Sequence, residues 1–204
     1  EKLDKAFETS LEEKIGITKS EKASVRCEIL PPRQRLGLWD MTVDFCGKSF
    51  LPLSPVMFDE ESYLKKIEEK LESSFEKNTD IIVGLNNIAQ VYWAKEWVKK
   101  NEHSRNTKFF ADVFLYTENS TAFESLKKEL PTLIGSYELD DDTPFNYTGS
   151  DYDPPVFISR VCLRHNGLGM DCKNCSRNNI FHLEQNGNHY KAICRNCITV
   201  VVRE

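Results

Sequence analysis

Four cysteines of this 204-residue chain stand as two pairs, Cys172-x-x-Cys175 and Cys194-x-x-Cys197, with eighteen residues between them. Two-residue spacing lets both thiolates of a pair reach one ion at ~2.3 Å from a single tight turn, and a second pair completes a tetrahedron. Four thiolates leave no open position for water or substrate, so the pattern fits one structural Zn2+ rather than a catalytic one. Paired redox dithiols and an iron–sulfur cluster are the competing uses. A redox Cys-x-x-Cys opens a helix in a βαβ setting, and neither pair does so here. His165, His182 and His189 are near in sequence, but with the shell already full they read as surface residues. Cys162 lies ten residues before the first pair. Cys27 and Cys46 fall in strand patterns and read as small buried hydrophobes.

The elements that must hold the pairs are short strands. Asn179–Glu184 and His189–Ile193 are strand candidates and are joined by Gln185-Asn186-Gly187-Asn188. Asn-Gly is a strong hairpin signal, because both central turn positions require positive φ. Ile198–Val202 supplies a third strand, and residues 156–163 an incoming one that carries Cys162. Two cysteine pairs on a small antiparallel sheet resemble the zinc-ribbon superfamily over residues 160–204. Members of that superfamily recur in transcription, RNA-processing and replication factors, so the resemblance implies contact with nucleic acid or with other proteins. Metal ligation is expected to supply most of the folding free energy of so small a sheet.

Upstream, periodicity predicts an α/β body. Leu3, Phe7, Leu11 and Ile15 form a four-residue-spaced stripe on an N-terminal helix, which packs on its own domain or docks on a partner. Residues 25–30 and 38–46 alternate as strands. A helix is expected over 59–76, with Asp59, Glu60 and Glu61 at its positive end. Asp80–Gly84 is a short, nearly all-apolar strand of the kind buried on both faces. Asn86-Asn87 starts a helix to about Lys100 with Ile88, Val91, Trp93, Trp97 and Val98. Residues 109–117 form a strand, Thr121 and Glu124 a capping box for a helix over 122–130, and residues 133–139 a last strand. This alternation predicts right-handed crossovers and a mixed or largely parallel sheet. The fold class is α+β: a body over residues 1–139, an acidic Pro/Gly linker over 140–155 and an antiparallel zinc ribbon over 156–204.

Hydrophobic residues at 40% and aromatics at 11% supply a real core, against disorder. No apolar run approaches the ~20 residues that span a bilayer. The first residues are charged, so no signal peptide is expected, and a chain beginning at Glu1 reads as a piece of a longer protein. An odd count of seven cysteines argues against a secreted disulfide scaffold and for a reducing compartment, nuclear or cytoplasmic, with the nucleus favoured. Net charge is −5 overall. Residues 155–204 carry seven basic and three acidic groups, net +4, against 20 and 29 in residues 1–154, net −9. Within the basic part, Arg160, Arg164, Lys173, Arg177, Lys191, Arg195 and Arg203 are candidates for phosphate contact.

Residues 80–134 resemble the kink-turn RNA-binding family, which includes ribonuclease P protein subunits. The matching stretches are Ile81-Ile-Val-Gly-Leu-Asn-Asn-Ile88, Leu115-Tyr-Thr-Glu-Asn-Ser120 and Glu129-Leu-Pro-Thr132. Gly84 and Asn86 match its Gly-x-Asn turn, which sets a helix N-terminus against RNA. Asn87 and Gln90 stand where that family has Glu and a basic residue. No catalytic triad, Gly-x-Gly-x-x-Gly or phosphate-binding lysine loop is present. The expectation is a non-catalytic subunit of a nuclear nucleoprotein or chromatin-related complex. Its partners are other protein subunits, with RNA or DNA through the ribbon, and neither a membrane nor a small-molecule substrate. A pure protein adaptor and a kink-turn-type RNA binder are the alternatives.

Overall fold

The computed structural model describes residues 37–45, 48–75, 80–115, 117, 120–136, 155–171 and 180–204. The expected N-terminal helix with Leu3, Phe7, Leu11 and Ile15, the strand over 25–30, and residues 140–154 of the expected linker lie outside them.

Five strands form the first sheet, in sequence order: β1 (Val43–Phe45), β2 (Lys48–Pro52), β3 (Ile81–Leu85), β4 (Thr107–Ala111) and β5 (Leu133–Ser136). β1 and β2 pair antiparallel, and β2 through β5 run parallel, so the sheet is mixed. The helices α1 (Glu60–Phe75), α2 (Ile88–Lys100) and α3 (Ser120–Glu129) make the crossovers. Parallel strands in sequential order put every crossover helix on one side when the hand is constant. Packing agrees: Ile67 and Leu71 of α1, Val91, Ala94 and Trp97 of α2 and Phe123 of α3 share one core with Leu51, Ile81, Val83, Leu85, Phe109 and Leu133. The alternating strand positions Phe50, Ile82 and Phe110 face the opposite way, with Val113, Leu38 and Phe114.

Local chemistry explains the helix starts. Asp59 accepts from the Ser62 amide at 3.1 Å, and Asn87 accepts from the Gln90 amide at 3.0 Å as the N-cap of α2. α3 begins at Ser120, so Thr121 lies inside its first turn rather than capping it. Ile88, expected in the α2 stripe, is exposed; Ala94 and Gln90 take the buried positions. No described helix is long and apolar enough to cross a membrane.

Near the C-terminus a second, separate sheet is antiparallel, in the order β6-β9-β8-β7, from β6 (Phe157–Ser159), β7 (Ile180–Gln185), β8 (Asn188–Arg195) and β9 (Ile198–Arg203). The expected hairpin is present: Asn186 and Gly187 turn β7 into β8 with φ of 51° and 74°. This sheet lies against the first. Ile198, Val200 and Val202 form a core with Trp39, flanked by Val56, Phe114 and Ile193.

Three expected strands differ from what folds. In place of a strand over 38–46, residues 37–40 turn and, among the described residues of that range, Val43–Phe45 pair, because Asp40 points its amide at the Pro52 carbonyl, 2.7 Å away. The strand over 109–117 is Thr107–Ala111, and the chain turns at Asp112, whose carbonyl accepts from Leu115. The incoming strand over 156–163 stops at Ser159, and Leu163–Gly167 coils into one wide helical turn.

Gly84 is the fourth of the five residues of β3, where a Cβ would meet Asp112 Oδ2 at 2.8 Å and the Phe50 ring at 3.2 Å. Gly84→Ala forces buried neighbours apart. A loss of about 1–3 kcal/mol is expected, read as a lower urea midpoint with helical circular dichroism retained at low denaturant.

Candidate functional site: the β8–β9 turn and its seat on the body

Both cysteines of the second pair belong to one hairpin. Cys194 is buried near the end of β8, paired across the ladder with Thr199. Cys197 is exposed in the two-residue turn to β9. That turn repeats the geometry of Asn186-Gly187: Asn196 and Cys197 have φ of 51° and 61°. Asparagine tolerates the left-handed region and glycine is indifferent to it, but a residue with an ordinary Cβ costs ~1–2 kcal/mol there. Cys197 thus occupies a slot that backbone sterics would give to glycine. A strained conformation of this kind points to a role for the side chain that sits there.

The turn is fastened to the body on both sides of Asn196. Arg195 Nε donates to the Trp39 carbonyl at 3.0 Å, and Asn196 Nδ2 donates to Asp40 Oδ2 at 2.5 Å. Asp40 itself has φ of 62°. Its other carboxylate oxygen accepts from the Tyr63 hydroxyl of α1 and from the Ser54 amide at 3.2 Å, while Lys70 donates to its carbonyl. Burial pushes the Asp40 carboxyl above its ordinary range, although the Tyr63 and Ser54 hydrogen bonds and the charges of Lys70 and Arg195 pull it down. Burial and the adjacent carboxylate push the Tyr63 hydroxyl up, so it stays protonated and donates. A cavity of about 360 Å³ opens beside this junction, lined by Ser54, Phe58, Ser62, Lys66 and Asn196 among others.

The other face of the C-terminal sheet is apolar and open. A groove of about 740 Å³ runs under residues 156–167, lined by Phe157, Val161, Leu163, Leu183, Tyr190 and Val201 with a few polar groups. Phe157 and Val161 remain 55% and 56% exposed. Most of the large exposed apolar side chains of the described residues lie between Val156 and Leu183; only Phe58, Ile88 and Tyr92 lie elsewhere.

Of the expected ligands, Cys172 and Cys175 lie outside the described residues, as do Lys173 and Arg177. Among the described residues no group of three or more His, Cys, Asp or Glu gathers to hold a metal. His165, His182 and His189 are exposed and apart from the turn; His182 Nδ1 lies 2.7 Å from Glu204. The candidate phosphate contacts are partly committed elsewhere: Lys191 pairs with Glu204 at 3.3 Å, and Arg195 is stitched to Trp39. Arg164 is half-buried in the wide helical turn, and the Arg160 guanidinium lies 5.3 Å over the Phe58 ring. Asn86 is buried: its amide N–H donates to Gln90 Oε1, its Nδ2 to the Leu53 carbonyl, and its Oδ1 accepts from the Phe114 amide. Gln90 Nε2 donates to the Ser54 carbonyl. Asn86 and Gln90, singled out by the kink-turn resemblance, therefore tie strand ends together.

Asp40, Asn196 and Thr199 were not visible as functional in the sequence. One signal was present: Asn196-Cys197 between two strand patterns is the Asn-Gly hairpin signal with a thiol in the glycine position. Comparison with known families, with curated proteins and with solved structures gives no match.

Asp40 makes a pH-dependent contribution whose sign follows from its raised folded-state pKa. Between the unfolded and folded values the folded chain holds the extra proton. Stability therefore falls as pH rises from ~4 through the shifted value and is level above it. Asp40→Asn, which tolerates positive φ and keeps one acceptor oxygen, should remove that slope in denaturant midpoints. Asp40→Ala strands buried donors and should cost about 1–3 kcal/mol.

Proposed function

We propose that this chain is a non-catalytic subunit of a nuclear nucleoprotein or chromatin-related complex. Its C-terminal sheet acts as a zinc ribbon, holding one structural Zn2+ through Cys172, Cys175, Cys194 and Cys197 and making contacts to other protein subunits. The observation that carries the reading is Cys197 in a strained, exposed turn position next to buried Cys194. A thiol kept where glycine would relieve strain has a use that offsets the cost, and metal ligation is the use its spacing supports. When bound, zinc supplies cross-linking free energy to a sheet with a thin core. A reducing compartment keeps such thiols available.

Protein contact is favoured over nucleic acid by three features. Lys191 and Arg195 are engaged within the fold. Most exposed apolar side chains of the described residues lie between Val156 and Leu183, and such concentrations mark protein-binding surfaces. The acidic body, net −9 over residues 1–154, adds repulsion toward phosphate.

Two measurements test this. The intact chain should carry one zinc, and Cys197→Gly should lose it. Metal-free Cys197→Gly should be more stable than the metal-free parent by about 0.5–1 kcal/mol, the relieved left-handed strain less the added freedom of glycine when unfolded. Equal zinc content in the variant overturns the ligand assignment. Binding of the zinc-loaded chain to structured RNA, single-stranded DNA and duplex DNA should be weak at low salt. A steep fall of a real affinity with salt, at ~0.7–0.9 per phosphate in the log–log slope, would instead make the sheet a nucleic-acid surface.

A further inference from the structure

Thr199 stands opposite Cys194 in the β8–β9 ladder and is buried. Its hydroxyl does three things. It donates to the Val161 carbonyl at 2.9 Å, accepts from the Leu163 amide at 2.8 Å, and lies 3.5 Å from Cys194 Sγ. A hydroxyl has one proton and two lone pairs. With the proton committed to Val161 and one lone pair to Leu163, the remaining lone pair suits a protonated thiol, whose S–H can donate to it. A thiolate at Cys194 reverses the requirement. An anionic sulfur accepts, and a hydrogen bond to an ion is about twice as strong as one to a neutral carbonyl. Rotation about one side-chain bond then brings the O–H from the Val161 carbonyl to Sγ, while the Leu163 amide still donates to the same oxygen. Thr199, in β9, thus lies beside the sulfur while it also holds Val161 and Leu163, which follow β6.

We propose that Thr199 is the positioning residue for Cys194 as a metal ligand: its hydroxyl supplies the hydrogen bond that orients and stabilises the Cys194 thiolate. The proposal rests on the zinc reading above and extends it to a group outside the four-cysteine pattern. It also accounts for a buried threonine between the apolar residues Ile198 and Val200. Its neighbours Ile198 and Val200 fill the core against Trp39, whereas Thr199 turns to the other face, where Cys194 lies.

The test is cobalt and zinc binding by the full chain with Thr199→Val, which keeps shape and loses the proton, and Thr199→Ser, which keeps the hydroxyl. Thr199→Val should weaken zinc binding ~10- to 100-fold, the usual effect of removing a partner that supports a metal ligand. It should also move the sulfur-to-cobalt charge-transfer band to longer wavelength, since a thiolate that accepts one hydrogen bond fewer is a better electron donor. Thr199→Ser should restore both. A purely structural role for Thr199 would change folding without moving the band. Should Thr199→Val fail to fold, Thr199→Ala loaded with cobalt during refolding reads the same band. Cobalt bound by the valine or alanine variant with the parent's affinity and spectrum overturns the role of Thr199 alone. A parent chain that takes up no cobalt overturns the zinc reading and this proposal together.

Discussion

Asp40 accepts hydrogen bonds from three regions of the chain: the end of β2 through the Ser54 amide, α1 through Tyr63, and the β8–β9 turn through Asn196. Next to it, Trp39 is buried among β9 side chains and takes the Arg195 hydrogen bond on its carbonyl. Two adjacent residues therefore fix how the second sheet lies on the first. The constraint beneath this is topological. With all three crossover helices on one side, no helix of the described residues covers Phe50, Ile82 and Phe110 on the other side of the parallel sheet. Some other layer must take that place, and the C-terminal sheet contributes through Trp39 and Phe114, whose rings lie 6.3 Å apart.

The left-handed backbone at Asp40, Asn196 and Cys197 belongs to the same junction. Each of the three is held in a conformation disfavoured for most residues; Asp40 is anchored by Tyr63 and Ser54, and Asn196 by Asp40. Cys197 is the one whose hold the described contacts do not explain, which is why its chemistry matters more than its packing. Cys194 is a different environment, buried beside a hydroxyl. The two thiols of one Cys-x-x-Cys pair are thus unlike in exposure and in backbone state.

Elements whose signal is local were legible in the sequence. α1 and α2 show a clear apolar stripe and polar N-caps, Ile81–Leu85 is a run too apolar to be anything but interior, and Asn186-Gly187 dictates its hairpin. β2 was not legible: Lys48-Ser-Phe-Leu-Pro52 is short, ends in proline, and becomes a strand by pairing with β1 and β3. The early end of β6 was hidden for a similar reason. Val161 and Leu163 look like strand residues, but their carbonyl and amide turn to the Thr199 hydroxyl, a partner some forty positions away. At the site, the cysteine spacing was visible and its surroundings were not, because Asp40 and Thr199 acquire their roles only through contacts made across the fold.

The Arg195–Trp39 hydrogen bond joins residues 156 positions apart in the chain. Contacts of such separation are the slow ones to form, since a long loop must close before any gain is realised. During synthesis the parallel strands leave the ribosome well before β9 does. Until β9 emerges, Trp39 and Phe114 lack the Ile198, Val200 and Val202 side chains they lie against. Apolar surface left uncovered in this way is where chaperones and aggregation compete.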